Sequence, residues 1–248
     1  MTYVKICGNR TPGDVLAAAQ AGADFVGMVF TESSRRIDAE QGRAMVRALG
    51  APLAEREMPM PPPAQPHVRE EVREWFHHGA QVLAGHLATK RPLTVGVFAD
   101  QPIEEVNEIA EQAGVDLVQL SGDESWEDCL LVTRQVIQVV HVSPLDSPSD
   151  PLQLVQPGFA LALMLDATHG PYRGGGGQAF DWEVARQVAE RIPIFLAGGL
   201  RAENVGEAIA HVRPWAVDVS SGTEHEGRKD HGRVRAFIAA VRAADARP

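Results

Sequence analysis

Short apolar runs alternate with amphipathic segments along most of the chain. The apolar runs are rich in valine, isoleucine, leucine, alanine and phenylalanine, as expected for parallel strands that are buried on both faces. They predict strands at 2–7, 24–30, 93–99, 116–121, 136–143, 160–166, 193–198 and 215–220. The segments between them predict helices at 12–21, 38–49, 102–113, 125–134, 150–156, 181–191, 202–212 and 230–245. Eight strand–helix units predict an α/β protein with a closed (β/α)8 TIM barrel, and a doubly wound open sheet is the alternative.

One stretch interrupts this alternation. Residues 51–92 separate the second helix from the third strand, where a few residues would be enough. Within them, 58–66 form a proline-rich spacer, and 67–88 look helical with an interruption near Gly79. Within a single domain spanning 1–248, a helix-to-strand connection lies on the N-terminal face of the barrel. We therefore expect the insertion to lie away from an active site.

The predicted helix of the insertion carries an apolar stripe. Burial of this stripe is expected, because exposing it would leave an apolar patch on the surface. The stripe consists of Val68, Val72, Trp75 and Phe76. The same helix carries three histidines, His77, His78 and His86. They are compatible with a metal site, but they are more simply explained as part of a solvated helix face.

Composition narrows the classes of function. No run of about 18 or more apolar residues occurs, so no membrane span is expected, and no signal-peptide pattern is seen. The two cysteines, Cys7 and Cys129, do not suggest a disulfide scaffold and favour a reducing cytoplasm. The net charge of -10 disfavours nucleic acid as a partner. A small anionic substrate remains compatible with it, because a local site can oppose the global field.

Two strand ends carry groups that can transfer protons. In a parallel barrel, catalytic groups come from the carboxyl ends of the strands. Cys7 ends the first predicted strand, with Lys5 two residues earlier on the same face, where an ammonium would favour the thiolate. Asp166 ends the sixth strand, so a thiol and a carboxyl group would form a base–acid pair suited to isomerisation. The simpler alternatives are a small buried hydrophobe for Cys7 and a loop cap for Asp166.

Glycine and serine follow the seventh and eighth strands, where barrels commonly bind phosphate. Backbone N–H groups can approach an anion closely at such positions. The candidate residues are Gly198, Gly199, Ser220, Ser221 and Gly222. Arg35, after the second strand, offers a planar fork of donors for a carboxylate or a second anion. Its simpler alternative is a solvated loop arginine.

A set of motifs occurs in an order that resembles one enzyme family. The motifs are VKICGN, SSRRI, GVFADQ, VQLSGDES, MLDA, GGGGQAFDW, LAGGLRAENVGEAI and VDVSSGTEHEGRKD. They cover the chain outside about 51–92 and resemble the phosphoribosylanthranilate isomerases of tryptophan biosynthesis. The resemblance implies a (β/α)8 barrel, as a monomer or homodimer, and an Amadori rearrangement that needs no metal or redox cofactor. The substrate would be N-(5-phosphoribosyl)anthranilate, and the product 1-(2-carboxyphenylamino)-1-deoxyribulose 5-phosphate.

Residue roles follow from the resemblance position by position. It implies that Cys7 is the general base, that Asp166 is the general acid and that Arg35 faces the anthranilate carboxylate. It also implies that Asp218 is an acidic group at the mouth, and that the glycine and serine positions after the last two strands hold the phosphate. The chain departs from the family pattern in three places: Ser121, where histidine is usual, Gly176, where threonine is usual, and the insertion 51–92.

Two other functions remain compatible with these residues. A sugar-phosphate epimerase would share the barrel and the phosphate site, but it typically needs metal-binding histidines at strand ends, for which His141 is the only good candidate. A non-catalytic barrel that binds phosphorylated metabolites or a protein partner would explain the insertion and the changes at Ser121 and Gly176. Turnover of phosphoribosylanthranilate would separate these possibilities.

Overall fold

Eight parallel strands close into a barrel in the computed structural model, and the eighth strand pairs with the first. The structure describes residues 1–53, 69–142, 153, 155–166 and 182–246. All eight predicted strands are present, which confirms the (β/α)8 barrel and excludes the open sheet. They are β1 (Tyr3–Ile6), β2 (Phe25–Val29), β3 (Leu93–Phe98), β4 (Leu117–Leu120), β5 (Gln135–His141), β6 (Ala162–Asp166), β7 (Ile194–Ala197) and β8 (Ala216–Val219).

Helices cover the outside of this barrel, and local chemistry fixes where the first of them begins. Thr11 and Asp14 exchange hydrogen bonds as a capping box, with Pro12 in the first turn of the helix. No described helix has both the length and the apolar character needed to cross a membrane. The helices are α1 (Pro12–Ala21), α2 (Ala39–Leu49), α3 (Arg69–Thr89), α4 (Ile103–Ala113), α5 (Trp182–Ala189), α6 (Val205–Val212) and α7 (His231–Asp245).

Two local features differ from the sequence prediction. The helix predicted at 125–134 is wrong in extent, since only a short 3₁₀-helix forms at Glu127–Leu131. Its two leucines, Leu130 and Leu131, are 62% and 64% exposed, so they bury little apolar surface that could stabilise a longer helix. A hairpin that was not predicted follows β8, formed by β9 (Glu224–His225) and β10 (Arg228–Lys229). The predicted helix at 150–156 falls mostly outside the described residues.

The helix of the insertion is α3, and it is continuous. The predicted interruption near Gly79 is wrong, because this glycine allows a close approach between α3 and the barrel. A Cβ atom at Gly79 would collide with the carbonyl oxygen of Leu161, just before β6. One turn earlier, the indole Nε1 of Trp75 donates a hydrogen bond to the carbonyl oxygen of Ala160 at 2.7 Å. The stripe residues Val72, Trp75 and Phe76 are buried, while Val68 lies outside the described residues.

The second half of α3 packs at the N-terminal end of the barrel. Val82, Leu83 and Leu87 are buried in one apolar cluster with interior residues at or near the starts of the strands. These interior residues include Phe25, Leu93, Leu117, Ala162, Phe195 and Ala216. The helix therefore forms an apolar floor under the barrel, at the end opposite the carboxyl ends of the strands.

One buried carboxylate holds both ends of the inserted segment. Asp116, which directly precedes β4, accepts hydrogen bonds from the backbone N–H of Leu53 at 2.6 Å and from Thr94 at 2.7 Å. Its two carboxylate oxygens also accept hydrogen bonds from the Nζ atom of Lys90, at 2.8 and 2.6 Å. Since Leu53 precedes the helix and Lys90 follows it, this carboxylate fixes the two points where the segment leaves and rejoins the barrel.

We expect Asp116→Asn to lower the free energy of unfolding by about 3 kcal/mol or more, because it leaves the Lys90 ammonium buried without its counter-ion. Urea unfolding followed by circular dichroism measures this change. Asp38→Asn is the matched control, since Asp38 caps α2 from an exposed position and asparagine caps equally well. Equal stability of the two variants would contradict the role of Asp116.

Candidate active site

The turn after β1 places a thiol at the mouth of the barrel. Strand alternation directs Lys5 and then Cys7 toward the interior. Gly8 has a φ of 76°, which favours glycine. The side-chain amide of Asn9 donates a hydrogen bond back to the carbonyl oxygen of Ile6 at 2.7 Å. These constraints fix Cys7, which is only 6% exposed.

A buried ion pair lies directly beside this thiol. Lys5 and Asp218 are register partners on β1 and β8, and the Lys5 Nζ atom is 2.8 Å from Oδ1 of Asp218. Burial opposes the charge on Lys5, but Asp218 and Cys7 outweigh burial and raise the pKa of the Lys5 amine. Asp218, predicted as a group that binds substrate at the mouth, is therefore already engaged by a protein cation.

The pKa of the Cys7 thiol is raised, because burial penalises the thiolate more than the neighbouring cations favour it. Lys5 acts in the direction predicted from the sequence and lowers the thiol pKa. Asp218 raises that pKa, and Lys229 lowers it. The sequence therefore identified the correct cation but missed the larger cost of desolvation.

Arg35 reaches the mouth and forms a two-pronged ion pair there. Its Nε and Nη2 atoms donate to the two carboxylate oxygens of Glu224 at 2.6 and 2.9 Å. The side chain passes so close to Gly8 that a Cβ atom there would collide with the Arg35 Cδ atom. The hydrogen bonds that Arg35 donates to Glu224 raise the pKa of its guanidinium. Arg35 is thus neither a solvated loop residue nor an unoccupied donor fork.

A second lysine joins the ends of β1 and β8. The Lys229 ammonium donates to the carbonyl oxygens of Cys7 at 2.6 Å and Ser220 at 3.1 Å, and to the hydroxyl of Thr223 at 3.1 Å. It lies 3.6 Å from a carboxylate oxygen of Glu224. Burial lowers the pKa of the Lys229 amine, although Glu224 opposes this change. Lys229 thereby links the loop of the thiol to the loop that follows β8.

The two glycine- and serine-containing loops meet beside this lysine. Gly198 and Gly199 have φ values of 94° and 64° after β7. Gly222 lies so close to the carbonyl oxygen of Leu200 that a side chain there would collide with the backbone. The loops therefore pack against each other through their backbones, with Ser220 and Ser221 in the second loop.

Asp166 ends β6, three strands around the barrel from β1. It pairs in register with His141 on β5 and with Ala197 on β7, and it is half-buried. Its backbone carbonyl accepts a hydrogen bond from Val142 at 3.1 Å. The structure thus brings the candidate acid and the candidate base to the same mouth, on different strands.

Comparison with known proteins places the chain in a family. The family model described as "N-(5'phosphoribosyl)anthranilate (PRA) isomerase" matches residues 59–240. The chain belongs to the N-(5'-phosphoribosyl)anthranilate isomerase family. An isomerase of this name from Dehalococcoides mccartyi is 38% identical, over 99% of this chain and 98% of the relative. One from Roseiflexus castenholzii is also 38% identical, over 97% and 98%.

Solved structures of phosphoribosylanthranilate isomerases share the fold. The crystal structure of the enzyme from Thermotoga maritima is 31% identical in sequence and has a TM-score of 0.72. The match covers 98% of this chain and 100% of that chain. Another, in complex with reduced 1-(o-carboxyphenylamino)-1-deoxyribulose 5-phosphate, has a TM-score of 0.69 and 30% identity, with the same coverage.

One departure from the family pattern, Ser121, directly follows β4 and contacts a side chain of β5. Ser121, at the position where the isomerases usually have histidine, accepts a hydrogen bond on Oγ from the amide nitrogen of Gln119 at 2.9 Å. The imidazole Nε2 of His141, from the next strand, is 2.9 Å from the Ser121 carbonyl oxygen. An imidazole therefore stands beside the family's histidine position. Gly176 lies outside the described residues.

The sequence did not predict a role at the mouth for Glu224 or for Lys229. Both lie on the β9–β10 hairpin, whose turn residues Glu226 and Gly227 have φ values of 49° and 70°. Two successive positive φ values are typical of a type I′ hairpin turn. The Glu-Gly pair between short polar segments was the available signal for this hairpin.

We expect Lys229→Met to shift alkylation of Cys7 by iodoacetamide to higher pH. The thiolate is the reactive form, and removing a nearby cation raises the thiol pKa further. Mass spectrometry of the modified peptide across a pH series assigns the reaction to Cys7. Lys229→Arg keeps the charge and should keep the profile near that of the wild type. An unchanged profile in Lys229→Met would show that this ammonium does not act on the thiol.

Proposed function

We propose that the chain catalyses the Amadori rearrangement of N-(5'-phosphoribosyl)anthranilate to 1-(2-carboxyphenylamino)-1-deoxyribulose 5-phosphate, in tryptophan biosynthesis. Family membership supports this reaction. The observation that carries the proposal is the thiol of Cys7 at the barrel mouth, near the ammonium groups of Lys5 and Lys229, with Asp166 at the end of β6.

The first step opens the ribose ring. Asp166, as a neutral carboxyl group, gives its proton to the ring oxygen while the bond between that oxygen and the anomeric carbon breaks. The lone pair of the anthranilate nitrogen forms a double bond to the same carbon, so that a protonated imine results. The positive charge on the imine acidifies the C–H bond of the adjacent sugar carbon.

The second step uses Cys7 as the base. Its thiolate removes the proton from the adjacent carbon, and the electron pair of that C–H bond neutralises the imine to give an enolamine. The enolamine tautomerises to the aminoketone. Since the reaction is an isomerisation, the protons given and taken balance.

The raised pKa of the Cys7 thiol has two effects on this role: it makes the thiolate a stronger base, and it makes the thiolate harder to form. The nearby ammonium groups of Lys5 and Lys229 limit the second effect, because both lower the thiol pKa.

Substrate binding is assigned to the two anionic ends of the molecule. The loops with Gly198 and Gly199 and with residues 220–222 would hold the phosphate through backbone N–H groups. Arg35 would face the anthranilate carboxylate. Its Nε and Nη2 atoms bind Glu224, whereas its Nη1 atom has no hydrogen-bond partner among the described residues, which supports this role. Glu224 then acts as a positioning residue for the guanidinium.

Cys7→Ala and Asp166→Asn should each lower kcat by at least ~100-fold, since a positioned acid or base typically contributes that much. The loss of anthranilate-type fluorescence measures turnover, and circular dichroism checks the fold. Cys129→Ala is the matched control, because Cys129 is buried, burial raises its thiol pKa to about 12, and it bonds Gln138 outside the mouth. Near-normal turnover in either test variant would remove that residue from its assigned role.

Arg35→Ala should raise KM by about tenfold or more, as expected for losing a hydrogen bond to a charged group. Steady-state kinetics with N-(5'-phosphoribosyl)anthranilate measures the change. Arg35→Lys keeps the charge without the planar fork and should give an intermediate KM. If KM and kcat both stay at wild-type values in Arg35→Ala, the guanidinium serves only as the structural partner of Glu224.

A further inference from the structure

A buried glutamine at the mouth has one hydrogen-bonding atom that no described residue uses. Gln119 on β4 is only 4% exposed. Its amide nitrogen donates to the Ser121 hydroxyl at 2.9 Å. Its amide oxygen Oε1 is fully buried and has no hydrogen-bond partner among the described residues. A buried acceptor without a partner reduces stability, so its presence at this position calls for an explanation.

Another glutamine, one strand away, shows that the fold can satisfy such a side chain. Gln138 on β5 is equally buried, at 4% exposed. Its amide nitrogen donates to the carbonyl oxygen of Glu124 at 3.2 Å, and its amide oxygen accepts from the thiol of Cys129 at 3.3 Å. Full burial of a glutamine therefore does not by itself leave its acceptor unused in this protein, although the half-buried Gln101 is a second case of an amide oxygen without a partner among the described residues.

The location of Gln119 links it to the candidate acid. Strand alternation turns Gln119 toward the barrel interior, on the same face as Leu117, which packs in the interior cluster. Ser121, which holds its amide, is contacted through its carbonyl oxygen by His141. His141 in turn is the register partner of Asp166. The unused acceptor thus lies in the part of the mouth formed by β4, β5 and β6.

We propose that Gln119 is a substrate-binding residue whose Oε1 atom accepts a hydrogen bond from an O–H or N–H donor on the ribosylamine part of the substrate. This inference rests on the proposed function. The phosphate and the carboxylate are excluded as its partner, because both are acceptors. The hydroxyl of Ser121 acts as a positioning group, since it holds the amide nitrogen and so directs the oxygen to the ligand. Binding of substrate would satisfy an acceptor that has no partner among the described residues.

Gln119→Met tests the proposal, because methionine has a similar length and no acceptor of comparable strength. We expect kcat/KM to fall about tenfold, as for the loss of one neutral hydrogen bond. The melting temperature should stay equal or rise, since the variant removes an unsatisfied buried group. Gln138→Met is the matched control, with the opposite expectation: an unchanged kcat/KM and a melting temperature lower by about 4 °C or more.

A binding measurement provides a second readout. Reduced 1-(o-carboxyphenylamino)-1-deoxyribulose 5-phosphate should raise the melting temperature of the wild type and of Gln138→Met, and should raise that of Gln119→Met by less. If Gln119→Met does not fold, Gln119→Asn withdraws the oxygen by one methylene group and should show the same reduced response.

The outcomes distinguish a failure of the Gln119 assignment from a failure of the proposed function. A wild-type protein that turns over the substrate, with Gln119→Met equally active and equally stabilised by the ligand, overturns the assignment of Gln119 and leaves the proposed function intact. A lower melting temperature in Gln119→Met with unchanged kcat/KM would make the glutamine purely structural and overturns the assignment too. A wild-type protein that neither turns over the substrate nor binds the product analogue overturns both.

Discussion

The buried ion pair between Lys5 and Asp218 is the interaction on which the site depends. It joins the first strand to the last, where the barrel closes, and the Lys5 side chain is completely buried. A buried ammonium without its counter-ion would cost several kcal/mol, which is why Asp218 cannot be lost without consequence. The pair also sets the electrostatic environment of Cys7, because both of its members act on the thiol pKa.

The charges around the thiol have a sign opposite to that of the whole chain. Lys5, Lys229 and Arg35 contribute three cations, and Asp218 and Glu224 contribute two carboxylates, so one positive charge remains. The protein as a whole has a net charge of -10. A locally positive cluster of ion pairs in an acidic protein favours small anions over large polyanions, because the long-range field repels the latter. This arrangement fits a ligand with a phosphate and a carboxylate.

The sequence was sufficient for the barrel because each strand carries its own apolar signal. It was insufficient wherever a side chain is defined by a distant partner. Arg35 could be predicted as a candidate anion-binding residue, but its pairing with Glu224 depends on a hairpin far along the chain. A helix was predicted at 125–134, but Leu130 and Leu131 within it are exposed, since apolar residues need not be buried. Gly79 suggested a break and instead allows close packing, because the pattern of one helix does not reveal what approaches it.

The floor formed by α3 has a consequence for the movement of protons. Val82, Leu83 and Leu87 close the lower end of the interior together with the aromatic and aliphatic side chains at the strand starts. In the proposed reaction, hydrogen exchanged between water and Cys7 or Asp166 would therefore pass through the upper opening, where the substrate would bind. Hydrogen removed from the sugar would then be held in a chamber with protein below it and ligand above it. Its return to the same molecule would compete directly with escape to solvent, so the shape of the chamber would influence how much of the original hydrogen the product retains.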